Sequence, residues 1–547
     1  LRFPAECPAQ AGREPRPRET NAARGPGSRI ADRLSPAMRP GGVAINVLAS
    51  GAVQAWPPMA QHYDLIVIGS GPAGRRAAVQ AAKLKKSVLV IERGRRVGGV
   101  CVHTGTIPSK TLRETVLNLS GWRERGFYGR AHRNKENITA EDLRRRLHIT
   151  LDHEVEVLEH QFARNKVTWT AGAARFLGPN AVEVVGDGGD VRHYHGDSII
   201  IAVGTQPYRP AHIPFDGECI VDADEILDLK RVPRSLVVVG ASVIGIEYAT
   251  IFSALDVKVT VVEPGSSLLG FVDRELVDEF IHDLRDRGVS LRFNSKAVSV
   301  EKLSGDSCLV QLEDQRQIVA EMVLFAAGRM GSTSALNLPA AGLAADERGR
   351  IAVDGASFRT AVPHIYAVGD VIGFPSLAST SMEQGRIAAC HAFGAEAHAP
   401  PEFFPYGIYS VPEISTVGMT EEQVREKHIP YETGIARFRE TSRGHIMGLN
   451  SGFMKMIFDL NTRRLLGVHI VGEGATELIH IGQAVLNLGG GLDYFVENTF
   501  NYPTLAEAYK IAALDAFNRM PAREKPAVHD LQEIAHIAAQ RIAAASR

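Results

Sequence analysis

Leu65-Ile66-Val67-Ile68-Gly69-Ser70-Gly71-Pro72-Ala73-Gly74, a helix-forming run to Lys83, and then Ser87-Val88-Leu89-Val90-Ile91-Glu92 read as strand, tight turn, helix and second strand. The unbroken apolar runs suit strands buried on both faces, as in a parallel sheet. The glycines permit the turn and a close approach of backbone to a pyrophosphate, and the helix N-terminus offers its dipole to the phosphates. Glu92, the acid that ends the second strand, suits ribose hydroxyls. A G-x-G-x-x-G stretch alone is weak evidence; with strand, helix and acid in register it marks a dinucleotide-binding βαβ unit. Gly69, Gly71, Pro72, Ala73, Gly74, Glu92 and the adjacent Arg93 are therefore candidate nucleotide contacts.

The pattern recurs at Leu236-Val237-Val238-Val239, Gly240-Ala241-Ser242-Val243-Ile244-Gly245, a helix through Phe252, and Val257 to Val262 ending in Glu263. In both copies the acid follows the first glycine by 23 residues. Each copy is followed by an apolar strand ending in a turn, first Ile199 to Thr205 with Ala202 and Gly204, then Val323 to Arg329 with Gly328. Internal repetition of this kind signals two related domains. The candidates in the second copy are Gly240, Ser242, Ile244, Gly245, Glu263 and Gly328, with Ser242 standing where a middle glycine is usual and leaving less clearance. Glu263 suits the free 2'-hydroxyl of NAD and repels a 2'-phosphate, and Pro264-Gly265-Ser266-Ser267 after it brings no arginine.

The 547 residues are enough for three or four domains, and 52 glycines with 45% hydrophobic residues suit an α/β protein. A net charge of −1 argues against nucleic acid as a partner. No window reaches the roughly 18 to 20 uninterrupted apolar residues of a membrane span, so a soluble, cytoplasmic protein is expected. Cys7, Cys101, Cys219, Cys308 and Cys390 are scattered singly, without the spacing of a disulfide framework or a zinc site, and no metal is expected. The Pro-, Arg-, Ala- and Gly-rich residues 1–58 read as a disordered extension or an over-long start, with Met59 just ahead of the first strand.

Several further stretches identify a family. His364-Ile365-Tyr366-Ala367-Val368-Gly369-Asp370 resembles the segment by which two-dinucleotide flavoproteins hold the ribityl chain of FAD. Gly98-Gly99-Val100-Cys101-Val102-His103-Thr104-Gly105-Thr106-Ile107-Pro108-Ser109-Lys110 resembles the redox-active segment of the pyridine nucleotide-disulfide oxidoreductases. There two cysteines form a disulfide; here Cys101 matches the first and Thr106 replaces the second. A threonine hydroxyl titrates far above any thiol and forms no disulfide. The histidine base of the disulfide reductases, in H-P-T-x-x-E, is also absent from Asn501-Tyr502-Pro503-Thr504-Leu505-Ala506-Glu507. Losing both together is what a chain not built for dithiol exchange should show. The combination is similar to the soluble (Si-specific) pyridine nucleotide transhydrogenases, as are Gly369 to Ser379 and Glu477 to Gln483.

The resemblance implies FAD as cofactor, NAD(H) and NADP(H) as substrates, a homodimer or larger homo-oligomer, and ping-pong hydride transfer between NADPH and NAD+ through flavin N5. It places Gly99, Cys101, Thr106, Lys110, Gly369, Asp370, Leu377 and Ala378 at the flavin, with a helix expected near Ser379. Lys110 and Glu247 are expected to pair as catalytic residues between flavin and nicotinamide, and Cys101 to be a neutral thiol. His480 is expected to be a satisfied packing residue. The fold class is α/β: two Rossmann-like dinucleotide-binding domains, for FAD and NAD(P), plus a C-terminal α+β dimerisation domain. The expected division is 59–206 and 331–400 for the FAD-binding domain, 207–330 for the NAD(P)-binding domain, 401–520 for dimerisation and 521–547 for a helical tail. Three alternatives stay open: an NAD(P)H dehydrogenase or diaphorase reducing a quinone or other acceptor, a dihydrolipoamide dehydrogenase-like protein lacking the disulfide, and a flavin-binding protein without catalysis.

Overall fold

The computed structural model describes residues 61–303, 305–400 and 402–521; the expectations for residues 1–58, for Met59 and for the tail beyond 521 lie outside them. The first strand, β1 (Gln61–Ile68), starts four residues earlier than its apolar run, Leu65 to Ile68, suggests. It ends at Gly69, whose φ of +107° turns the chain into the Pro72–Lys83 helix. Pro72 at the first helical turn has no N–H to leave unpaired and a φ already suited to the helix. The chain then enters β2 (Val88–Glu92) and, after the Thr106–Leu119 and Ala140–Arg164 helices, β3 (Thr168–Ala171), β4 (Ala173–Gly178), β5 (Ala181–Val185) and β6 (Val191–Ile201). The order is β3-β2-β1-β6-β5-β4, with β1 parallel to both β2 and β6.

After the short β7 (Thr205–Pro207), the second repeat builds its own parallel sheet. Its strands are β8 (Ile220–Asp222), β9 (Ser235–Val239), β10 (Lys258–Val262), β11 (Ser290–Arg292) and, past the antiparallel β12 (Ala297–Lys302), β13 (Cys308–Leu312) and β14 (Gln317–Ala320), β15 (Met322–Phe325). The order β11-β10-β9-β15-β8 repeats the strand, helix, strand logic of the first sheet around the Val243–Ala254 helix. β16 (Arg329–Gly331) pairs antiparallel with β7, and β17 (Ile365–Ala367) then adds to β6 in the first sheet. The chain thus returns to the first sheet just before Asp370.

The remaining chain forms an antiparallel sheet of β18 (Tyr406–Ile408), β19 (Ile414–Gly418), β20 (Tyr431–Arg437), β21 (Phe453–Asp459) and β22 (Leu465–Val471), in the order β18-β19-β22-β21-β20. One hydrophobic cluster runs through Leu112 and Val116 of the Thr106–Leu119 helix, Ile246 and Ala249 of the Val243–Ala254 helix, and Ile408 and Ile414 of this last sheet. Burial of the larger of these side chains, each contributing roughly 1.5–3 kcal/mol, fixes three segments distant in sequence against one another. Among the described residues no helix is long and apolar enough to cross a membrane.

Candidate active site

A cleft of about 430 Å³ opens at the C-terminal ends of β1 and β6, where open α/β sheets bind ligands. Of the residues the sequence singled out, it is lined by Gly69, Gly71, Pro72, Ala73, Glu92, Arg93, Gly99, Cys101, Thr106, Ala202, Gly204, Gly369, Asp370 and Ala378. Gly74, Leu377 and Lys110 do not line it. Gly74 serves packing instead: a Cβ there would lie 1.9 Å from the Gly69 carbonyl oxygen. Leu377 caps the Ala378–Ala392 helix, which begins one residue before the expected Ser379.

Glu92 ties the turn together. Its Oε2 accepts from the Ser70 amide at 3.0 Å and from the Ser70 hydroxyl, and its Oε1 accepts from the Gly94 amide at 2.9 Å. Ser70 Oγ in turn accepts from the Gly98 amide at 2.8 Å, which links the turn to the segment bearing Cys101. Ser70 occupies a variable position of the fingerprint, so the motif gave no reason to single it out.

Cys101 is the only cysteine lining the cleft among the described residues. Burial pushes its thiol above the ordinary range, against the lowering effect of a hydrogen bond with Thr106 and of the Arg75 guanidinium. The pair that would be a dithiol in a disulfide reductase is therefore a neutral thiol against an alcohol. Burial likewise raises Asp370, with Arg329, Ser381 and Thr205 opposing.

Lys110 and Glu247 meet as expected. Lys110 Nζ lies 2.7 Å from Glu247 Oε2, joining the Thr106–Leu119 and Val243–Ala254 helices. A third partner had no signal in the sequence: the Tyr409 amide, 162 residues from Glu247, donates to Glu247 Oε1 at 2.9 Å. The Tyr409 ring centroid lies 4.9 Å from Lys110 Nζ, within cation–π range.

The second turn repeats the first. Gly240 has φ +106°, and a Cβ on Gly245 would lie 2.0 Å from the Gly240 oxygen. Glu263 accepts from the Ala241 amide at 2.7 Å and from the Gly265 amide at 2.8 Å, as Glu92 does from Ser70 and Gly94. Ser242 is the exposed N-cap of the Val243–Ala254 helix, followed by Ile244 in its first turn, and Gly328 turns the chain after β15 with φ +111°. None of these residues lines the 430 Å³ cleft.

Gly71 tests whether the first turn suits a dinucleotide cofactor. Its φ of −62° is open to any residue, and no protein atom lies within 4 Å of the Cβ it lacks. The protein itself does not require glycine there, whereas a pyrophosphate pressed against the turn would. With Glu92 and Asp370 at either side of the cleft, the residues present fit FAD.

One expectation needs correction, and one contact goes beyond the sequence. His480 is exposed on the Ala475–Asn487 helix, its Nδ1 2.9 Å from Gln483 Oε1, because that turn of the helix faces away from the core. Cys219 and Cys308, isolated in sequence, are neighbours: the chain before β8 meets the start of β13, and burial with the Cys219 contact pushes Cys308 up to about 12.

Residues 63–385 match the pyridine nucleotide-disulphide oxidoreductase family model, and residues 404–513 match the dimerisation domain of the same family. The soluble pyridine nucleotide transhydrogenase of Mycobacterium bovis (strain BCG / Pasteur 1173P2) is 51% identical over 463 residues, covering 84% of this chain and 98% of the relative. That of Colwellia psychrerythraea is 42% identical over 462 residues, covering 84% and 98%. Among solved structures, LpdA from Mycobacterium tuberculosis superposes with a TM-score of 0.76 at 26% identity, over 83% of this chain and 99% of that one. The flavoprotein disulfide reductase RclA from Escherichia coli gives a TM-score of 0.74 at 27% identity, over 83% and 99%. With its paired dinucleotide turns and a threonine in place of the second redox cysteine, the chain belongs to the pyridine nucleotide-disulphide oxidoreductase family, among the soluble pyridine nucleotide transhydrogenases.

Proposed function

We propose that this chain is an FAD-dependent oxidoreductase that transfers hydride between NADPH and NAD+, without a redox disulfide. The observation that carries this reading is Cys101 against Thr106: a cleft fitted for FAD has one thiol, pushed toward its neutral form, where dithiol exchange needs two. FAD held in this cleft would supply the hydride-carrying chemistry that links one nicotinamide to the next.

On this reading the chain's own residues divide the work. Gly69, Gly71, Pro72, Ala73 and Gly74 present the helix N-terminus to the FAD pyrophosphate, while Glu92 braces the turn and Arg93 flanks it. Gly99, Cys101, Thr106, Ala202, Gly204, Gly369, Asp370 and Ala378 form the remainder of the flavin site, where Asp370 would meet the ribityl hydroxyls, and Leu377 caps the helix that Ala378 begins. Gly240, Ser242, Ile244, Gly245, Glu263 and Gly328 take the exchanging nicotinamide nucleotide. Lys110, held by Glu247 at 2.7 Å and beside Tyr409, brings its amine between the two sites, where it favours electron-rich reduced flavin and orients the nicotinamide. Residues 59–206 with 331–400, 207–330 and 401–520 are the corresponding FAD-binding, NAD(P)-binding and dimerisation domains.

The reading extends to a cytoplasmic homodimer or larger homo-oligomer. It is supported by the dimerisation-domain match over 404–513 and by relatives named as soluble enzymes.

Cys101→Ser tests the absence of thiol chemistry. NADPH-to-NAD+ transfer should stay within about threefold of wild type, since the serine keeps the shape without a thiolate. A loss of two orders of magnitude with flavin still bound would make the thiol a participant and overturn the reading.

A further inference from the structure

His62 stands near the start of β1 and is the register partner of His195 on the parallel strand β6. Side chains two residues apart on a strand share a face, so Asp197 projects beside His195. The three converge. His62 Nε2 lies 2.8 Å from Asp197 Oδ1, and the two imidazoles stack at 5.5 Å between centroids and 21° between planes. One donor atom from each residue falls within 4.8 Å of the other two.

We propose that His62, His195 and Asp197 form a site for a divalent transition-metal cation of the Zn2+, Co2+ or Ni2+ class. Two imidazole nitrogens and one carboxylate oxygen suit these borderline cations, and water completes the coordination. Bonds of about 2.0–2.2 Å place donors roughly 3.4 Å apart in a tetrahedral site. The existing separations reach that value by side-chain rotation alone, because His62 and Asp197 are more than half exposed at 55% and 56%. The backbone is already set: β1 and β6 are locked in register from Gln61 to Ile68, with Leu65 and Ile66 fully buried below the site. The two imidazoles lie side by side, 5.5 Å between centroids, so that a nitrogen of each can turn toward a common ion.

The site is separate from the cleft. His62 precedes Ile68, and His195 precedes Ile201, by six residues each, about 20 Å of strand at 3.3 Å per residue. A cation there ties together the outer ends of the two central strands whose other ends carry Gly69 and Ala202. It acts on stability and leaves hydride transfer unchanged. The site escapes a sequence reading because His62 and Asp197 are 135 residues apart and only the parallel pairing of β1 with β6 unites them.

The test uses the untagged, flavin-loaded protein after treatment with EDTA. Titration with Zn2+ followed by calorimetry should show one equivalent bound per chain, and Co2+ should develop visible ligand-field absorption that Zn2+ displaces. His195→Ala, Asp197→Asn and His62→Gln should each weaken Zn2+ binding by at least about tenfold, since even supporting residues of metal sites cost that much. Zn2+ should raise the melting temperature of the wild type and leave that of His62→Gln unmoved, with NADPH-to-NAD+ transfer equal in both. His62→Gln, at an exposed side chain, keeps the comparison sound if His195→Ala disturbs folding. No stoichiometric binding, or equal affinity in wild type and His62→Gln, overturns the proposal.

Discussion

Single residues decide which chemistry is open to this chain. Glu247 makes two contacts at once, accepting from the Tyr409 amide and pairing with Lys110, and its side chain is 5% exposed. Glu247→Gln keeps an oxygen for Tyr409 and removes the charge that holds Lys110. We expect flavin reduction by NADPH to slow roughly 10²-fold in stopped-flow measurements, as when one preorganised electrostatic partner is lost, with the fold retained. In the proposed nicotinamide site, Glu263 is the residue that sets the choice of nucleotide. Its carboxylate is held in place by the Ala241 and Gly265 amides, in the position where a 2'-phosphate would meet a fixed negative charge. Glu263→Ala should raise kcat/KM for NADPH relative to NADH by about tenfold, a gain of about 1.4 kcal/mol in relative transition-state binding. An unchanged ratio would show that Glu263 does not face the ribose. Cys101 and Lys110 could be singled out from the sequence because both sit in one short contiguous segment. Tyr409 could not, because its part in the site arises from packing between segments 162 residues apart.

Among the elements, the two strand-turn-helix units were legible because glycine spacing and apolar runs are local signals. The structure divides the work of their glycines. Gly74 and Gly245 are demanded by the protein, since a Cβ would lie 1.9 Å and 2.0 Å from the carbonyl oxygens of Gly69 and Gly240. Gly71 is not, because a Cβ added there would meet no protein atom within 4 Å. Gly74→Ala should therefore destabilise the protein by at least about 1–3 kcal/mol in thermal or denaturant unfolding, as overpacking does. Gly71→Ala should leave the unfolding of the flavin-free protein within about 0.5 kcal/mol of wild type and reduce flavin content on purification. Equal flavin occupancy in Gly71→Ala and wild type would mean that the pyrophosphate does not press on this turn. The Thr106–Leu119 helix shows how one element serves both sites: Thr106 faces the cleft, and Lys110, one turn later, reaches Glu247 on the second repeat. The environments of His480 and of the Cys219–Cys308 pair were not legible, because which face of a helix is covered and which strands meet are set by tertiary packing.

Across the molecule as a unit, the sheets of the two dinucleotide-turn repeats are bound to each other and to the C-terminal sheet through buried contacts. Lys455 on β21, 1% exposed, pairs with Asp273 at 3.0 Å, Glu275 at 3.1 Å and Glu421, linking the Arg274–Asp286 helix of the second repeat to the last sheet. Burial alone would raise Asp273, but His469 and Lys455 outweigh it and hold the carboxyl below its usual range. The sign follows: this contact adds stability above the ordinary carboxyl pKa and loses it as pH falls through the lowered one. Such a frame holds the two dinucleotide turns in fixed relation while the Cys101–Thr106 pair offers no exit through a disulfide. In a transhydrogenase, electrons that enter from one nicotinamide leave to another, which anaerobic transfer from NADPH to thio-NAD+ by the purified flavoprotein, with lipoamide as a parallel acceptor, puts to the test. We predict rapid reduction of thio-NAD+ with parallel-line, ping-pong kinetics and no reduction of lipoamide. Lipoamide reduction, or no transfer from NADPH while NADH still bleaches the flavin, would contradict it.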